Sequence, residues 1–359
     1  MTEDPSPSPE PSYGSEASPA PETQHRRRPR YSGKYPRKFA EKYKEHDPAR
    51  FQDTIAKVMA SGKTPAGMHR PIMVAEVLEA LAPAPGNLAA DCTLGYGGHS
   101  TEILRRILPG GRLLGLDADP IELPKTEARL RAAGFGPEAF TAHRSNFAGL
   151  RNVLAAEGID GVNLIFADLG VSSMQFDEPA RGFSFKAEGP LDMRMNPGRG
   201  QPASALLRKL APAQLAVMLE ENSDEPHAAI LAQALAGQDF ATTTALTRAI
   251  RGALTRQSED DREMSVRRVF QALRIAVNDE FSALETLLRS LPECLATGGR
   301  VAILTFHSGE DRRVKKAFEA GLRDGLYSEI NREVIRPSPD ERHANPRSSP
   351  AKLRWAIRA

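Results

Sequence analysis

Short apolar runs that stop at Gly or Asp, each followed at once by a helix-period stretch, constrain this chain more than any other feature. The runs are Leu88 to Asp91, Arg112 to Leu116, Phe140 to His143, Val162 to Ala167 and Arg300 to Phe306. The first four alternate with helical segments such as Thr101 to Ile107 and Ile121 to Ala133, the order of a parallel, doubly wound α/β sheet. The gap between the fourth and fifth runs is far too long for an ordinary crossover, so the spacing predicts an inserted subdomain there. Within it Val266, Phe270, Leu273, Val277, Phe281, Leu284, Leu288 and Leu291 recur at steps of three or four and predict one apolar packing stripe. Further helices are predicted at Ala203 to Leu210, Pro212 to Glu221 and Pro226 to Leu235, and Thr242 to Thr244 can cap another that ends near Leu254. Lys352 to Ile357, which carries the only tryptophan, Trp355, reads as a closing strand.

Composition sets the outer bounds. With 359 residues, 40% of them apolar, a sizeable core is available in two domains or one enlarged domain. Two distant cysteines, Cys92 and Cys294, make no disulfide framework, and no ligand spacing suggests zinc; a reducing cytoplasm and no structural metal are expected. No apolar run approaches the roughly 18 residues of a membrane span, and the start of the chain lacks the basic-then-apolar order of a secretory signal. A soluble, unexported protein without membrane contact is therefore expected.

The net charge of +2 hides a strong polarity at the N-terminus. Residues 1–24 hold six prolines, five serines and five acidic groups without Lys or Arg, giving −5, whereas residues 25–50 carry +7. Residues 1–65 are expected to form a disordered tail, too polar to bury a core. Its basic half alternates with Tyr31, Tyr35, Phe39 and Tyr43, a mixture that could neutralise phosphates and stack on bases, or equally be a solvated run.

The chemistry concentrates at strand ends. The run Leu88 to Asp91 passes into Cys92-Thr93-Leu94-Gly95-Tyr96-Gly97-Gly98-His99-Ser100 and then a helix, an order that lets backbone approach a ligand. Asp117 closes the next strand, where a carboxylate can bond both ribose hydroxyls of a nucleoside cofactor. This pattern does not choose between NAD and S-adenosylmethionine, although Ser100 stands where the dinucleotide fingerprint wants Gly or Ala. The fourth run ends in Asp168-Leu169-Gly170, a carboxylate and a pliable backbone at the ligand-binding edge of the sheet.

Seven segments in order, DCTLGYGGHS from Asp91, DLGVSSMQFD from Asp168, RGFSF from Arg181, GPLDMRM from Gly189, FQALRIAVNDE from Phe270, GGRVAILTFHSGED from Gly298 and NPRSSPAKLR from Asn345, resemble the bacterial ribosomal small-subunit methyltransferase H family, also called MraW. The resemblance implies a class I S-adenosylmethionine-dependent methyltransferase with a Rossmann-like doubly wound sheet. Its domain would occupy residues 66–195 and 298–359, with an all-helical substrate-recognition insert at 196–297. It implies transfer of a methyl group from S-adenosyl-L-methionine to the exocyclic N4 of a cytidine in 16S rRNA of the 30S ribosomal subunit, near the decoding centre. Residues matching the family's cofactor site are Gly97, Gly98, His99, Asp117, Phe147, Asp168 and Gln175.

A cytosine N4 is a poor nucleophile because its lone pair is delocalised into the ring. Acceptors at its two N–H groups, Asp168 and a carbonyl of Leu169 or Gly170, would make it tetrahedral, and Asp168 or His307 could take the proton. Phe183, Phe185 and Phe306 are candidates to hold the unstacked base, and Arg181, Arg194, Arg267 and Arg274 to meet phosphates. The chain departs from the family's pattern at Asn196, Gly309 and Pro350. An rRNA-binding assembly factor without catalysis is the alternative from another class, with an NAD-dependent oxidoreductase behind it, and a homodimer is compatible with either.

Overall fold

The computed structural model describes residues 71–359; the Pro/Ser-rich and basic–aromatic stretches within residues 1–65 lie outside them. The strands are β1 (Leu88–Asp91), β2 (Arg112–Asp117), β3 (Phe140–Arg144), β4 (Val162–Asp168), β5 (Leu295–Thr305), β6 (Tyr327–Ile330) and β7 (Lys352–Arg358). They form one sheet in the order β3-β2-β1-β4-β5-β7-β6. Neighbours from β3 to β5 run parallel, and β7 is antiparallel to both β5 and β6. Near-continuous burial along β1, β2 and β4 explains why their sequences are apolar runs and not alternating ones.

Helices cover both faces. One face packs α1 (Val74–Leu81), α2 (Gly98–Ile107) and α3 (Leu123–Ala132) on the sheet around Leu81, Ile103, Leu130 and Phe166. The other face receives α4 (Leu150–Ala156) around Leu150, Ile165 and Val301. Strand order reverses between β1 and β4, so their carboxyl ends, Asp91 and Asp168, part at the point where a doubly wound sheet opens a crevice.

After β4 come α5 (Ser173–Asp177), α6 (Ala203–Lys209), α7 (Pro212–Ser223), α8 (Ala228–Leu235), α9 (Thr243–Ala253), α10 (Glu259–Asn278) and α11 (Glu280–Cys294) before the chain re-enters the sheet at β5. A separate core of Leu207, Leu215, Leu219, Leu231, Ile250, Val266 and Leu273 holds α6 to α10 together. Thr242 caps α9 by accepting the Ala245 N–H at 3.2 Å, as its position in the sequence predicts. Beyond β5 lie α12 (Ser308–Arg323) and α13 (Pro339–Ala344).

The apolar stripe expected from Val266 to Leu291 is two helices. Asp279 adopts the left-handed conformation, φ 51°, ending α10 and opening α11. Val266, Phe270 and Leu273 therefore face the helical core, while Leu284, Leu288 and Leu291 pack on the sheet. A bend at one residue leaves the three-and-four spacing intact, so periodicity alone conceals it. Strand β6 went unread because only Tyr327 of its four residues is buried. Gly309 leaves room for a ring: a Cβ there would lie 2.7 Å from Phe281 Cζ.

Leu219 of α7 is fully buried and Val217 is 50% exposed. Leu219→Ala should cost about 2–5 kcal/mol in urea unfolding, whereas Val217→Ala should change stability by no more than about 0.5 kcal/mol.

Candidate active site

A cleft of about 1400 Å³ opens along the carboxyl ends of β1, β2 and β4. Its floor is the loop after β1, which is built around Asp91. This buried carboxylate accepts the Thr93 N–H at 3.0 Å and the Ser100 hydroxyl at 2.6 Å, joining the loop's first turn to the start of α2. Burial raises its pKa to about 6 against those hydrogen bonds. Gly97 ends the turn at φ 82°, and a Cβ on it would meet Thr126 Cγ2 at 3.0 Å; one on Gly98 would meet Pro71 at 3.0 Å. The left-handed backbone favours glycine at Gly97, and at both positions the chain packs closely on itself.

Asp117 at the end of β2 ties that floor to the next loop. Its Oδ2 accepts the Gly95 N–H at 2.9 Å and its Oδ1 the Asp119 N–H at 2.8 Å. Burial lifts its pKa to about 6, with the two backbone bonds working against the rise. Both oxygens retain acceptor capacity on the cleft side, the pair a vicinal diol would need, and Phe147 lines the same cavity as an apolar wall.

Asp168 stands opposite, at the end of β4. Its N–H donates to Thr93 Oγ1 at 2.6 Å, so the two strand ends are joined through one threonine. Its side chain is 20% exposed, with Oδ2 3.7 Å from His99 Nδ1, while His99 Nε2 lies 2.9 Å from the Ile72 carbonyl. Burial, helped by the charges of Asp91 and Glu310, pushes the Asp168 carboxyl up to about 8.

The remaining expected residues divide. Gly97, Gly98, His99, Asp117, Phe147, Asp168, Gln175, Arg267, Arg274 and Phe306 all line the cleft. Arg181, Phe183, Phe185, Arg194 and His307 are not among its lining residues. Phe183 is buried in the helical core, and Phe185 packs edge-on against Phe270 at 5.5 Å. Arg194 forms a fork with Asp192 at 2.8 and 2.7 Å. His307 caps α12, its Nδ1 accepting the Glu310 N–H at 3.4 Å while Nε2 lies 3.0 Å from Glu310 Oε1.

Arg181 does structural work behind the cleft. It donates to Asp119 Oδ2 at 2.8 Å and to the carbonyls of Arg194 and Met195 at 3.1 and 2.9 Å. Gln175 reaches the same Asp119 oxygen at 2.8 Å, and its Oε1 accepts the Ser172 N–H in a capping box. Asp119 thus holds α5, the Arg181 turn and the Met195 strap in one place.

Sequence reasoning passed over Asp119, although it sits two residues after Asp117; the only signal was a second carboxylate in the same turn. It also passed over Glu280, Arg144 and the strap Met195 to Gly200, all of which line the cleft. Among the described residues no cluster of His, Cys, Asp and Glu could hold a metal, and no helix is long and apolar enough to cross a membrane.

The model of the MraW methylase family matches residues 66–359. The chain is 49% identical over 347 residues to ribosomal RNA small subunit methyltransferase H 2 of Alkaliphilus metalliredigens, covering 94% of this chain and 99% of that protein. It is 43% identical over 305 residues to ribosomal RNA small subunit methyltransferase H of Anaeromyxobacter dehalogenans, covering 80% and 96%. Among solved structures, an rRNA methylase from Streptococcus thermophilus is similar at 11% identity and a TM-score of 0.38, over 81% of this chain and 99% of that one.

Two outcomes test this geometry. Arg181→Met should cost about 3–5 kcal/mol in thermal or urea unfolding, because it strands the buried Asp119 charge; an RNA-contact role alone would leave stability unchanged. Asp168 holds its proton more tightly folded than unfolded, so its contribution is complete below the ordinary value of 3.8 and is lost as pH rises through about 8. Asp168→Asn should therefore gain stability over the wild type between pH 4 and pH 8, by at least about 1 kcal/mol in urea unfolding. An equal difference at both pH values would refute the burial.

Proposed function

The chain belongs to the MraW methylase family, and from that premise we propose that it transfers a methyl group from S-adenosylmethionine to the exocyclic N4 of a cytidine in 16S rRNA, with the 30S subunit as substrate. The observation that carries this is the meeting of the glycine loop and Asp117 with the Asp168-Leu169-Gly170 turn in one cleft. The donor set fits the cofactor. Asp117 offers acceptors for the ribose hydroxyls, Phe147 an apolar face for the adenine, and Gly97 to His99 backbone for the methionine end. When bound, the cofactor supplies an electrophilic methyl group on a sulfonium.

The protein's task is then the amine. Asp168 accepts one N4–H and a carbonyl of Leu169 or Gly170 the other, which draws the lone pair out of the ring and orients it. Asp168 also receives the proton that leaves, and its raised pKa suits a group that must hold a proton near neutral pH. His99 Nδ1, 3.7 Å away, is the next stop for that proton. His307 could serve only by giving up Glu310, so Asp168 is preferred as the base.

Residues 196–297 act in this proposal as the substrate-recognition insert of a methyltransferase domain made of 66–195 and 298–359. Arg267, 56% exposed at the cleft, is placed to meet a phosphate at the rim together with Arg144 and Arg199. The substrate puts the reaction in the cytoplasm.

Incubation with labelled S-adenosylmethionine and 30S subunits from cells lacking this activity, followed by nucleoside analysis, should yield N4-methylated cytidine at one site. Label on another base or atom, or none despite cofactor binding, would contradict the proposal. Asp117→Ala should weaken S-adenosylmethionine binding by about 1–3 kcal/mol in calorimetry, the penalty for unpaired polar groups; unchanged affinity would remove Asp117 from the ribose.

A further inference from the structure

We infer that Arg274 reads the Watson–Crick edge of the base entering the cleft: its Nη1 donates to N3 of cytosine and thereby turns uracil away. This rests on the proposal that a cytosine N4 is methylated at the Asp168 turn.

Arg274 lies near the C-terminal end of α10, four residues before its last residue Asn278, and is gripped by Glu280 at the start of α11. Its Nε and Nη2 donate to the two Glu280 oxygens, both at 2.8 Å, a fork that fixes the plane of the guanidinium. Nη1 is left without a protein acceptor among the described residues, and the side chain lines the cleft. That nitrogen lies 3.9 Å from where a Cβ on Gly170 would stand, and Phe306 Cδ2 lies 4.0 Å from the same point. A fixed donor, an aromatic ring and the turn that begins at Asp168 therefore converge on one patch.

The charges around Arg274 decide what it can bind. Glu280 neutralises it, and Glu310 brings a second carboxylate to within 4.0 Å of Nη2. Both acids are buried, so a phosphate here would face two carboxylates besides Asp168 and be repelled. A neutral acceptor meets no such penalty. Cytosine presents the N4 donors beside the N3 acceptor, which complement an acceptor at Asp168 beside a donor at Arg274. Uracil inverts both positions, with O4 toward the carboxyl and N3–H toward the guanidinium, leaving buried polar groups mismatched.

The test compares affinities of the protein with S-adenosylhomocysteine bound for 30S subunits carrying cytidine or uridine at the methylated position. The wild type should prefer cytidine, and Arg274→Met should reduce that ratio by about tenfold or more, the worth of a hydrogen bond from a charged donor. Because Arg274→Met strands Glu280 and Glu310, Arg274→Lys serves beside it: it keeps a cation for Glu280 but loses the fork, and should lower the ratio likewise with the melting temperature retained. An unchanged ratio in Arg274→Lys would overturn the inference. So would equal weakening for both subunits with a shallower salt dependence, the mark of a phosphate contact. A wild type that methylates no cytidine N4 would overturn the underlying function as well, whereas methylation with an unchanged ratio would overturn this inference alone.

Discussion

Three neighbouring strands of the sheet end in buried or half-buried aspartates, and the cleft is the consequence of satisfying them. Asp91, Asp117 and Asp168 each sit where burial disfavours their charge, and each has its pKa raised. Loop groups supply the compensation: Thr93 and Ser100 bond Asp91, while Gly95 and Asp119 give their N–H groups to Asp117. Asp168 receives no such donor to its carboxyl in the hydrogen bonds described, and it carries the highest pKa of the three. The least satisfied carboxyl is thus the one proposed to face the reacting amine and take up its proton.

A further carboxylate, fully buried, extends this arrangement toward the helical insert. Asp119 takes Gln175 and Arg181, and Arg181 in turn holds the carbonyls of Arg194 and Met195. Asn278 at the end of α10 closes the other side, accepting the Met195 N–H at 2.7 Å and donating to the Met193 carbonyl at 2.8 Å. The strap that borders the cleft is therefore pinned between the β2 loop and the helix that bears Arg274. The helical insert and the cleft floor share one hydrogen-bonded frame, which is why Arg181, suited in type to RNA, is occupied by a carboxylate and two carbonyls.

Much of this was legible in the chain. Parallel strands buried on both faces announce themselves as apolar runs, and the Gly loop, Asp117 and Asp168 fall at the ends of those runs. The aromatic and arginine assignments were harder, because residue type does not say which way a side chain turns. Phe183 and Phe306 look alike in sequence, yet one fills the helical core and the other lines the cleft. The bend at Asp279 and the pairing of Arg274 with Glu280 depend on one left-handed residue, which no periodicity records.

The central claim is that Asp168 takes the proton from the base, and its most direct test is the pH dependence of single-turnover methyl transfer to 30S subunits. The rate should climb with pH as the Asp168 carboxyl ionises, with its midpoint near 8, and Asp168→Asn should flatten the profile and slow transfer by about 10²–10⁴-fold. An Asp168→Asn enzyme that keeps both the wild-type rate and its pH dependence would contradict the account.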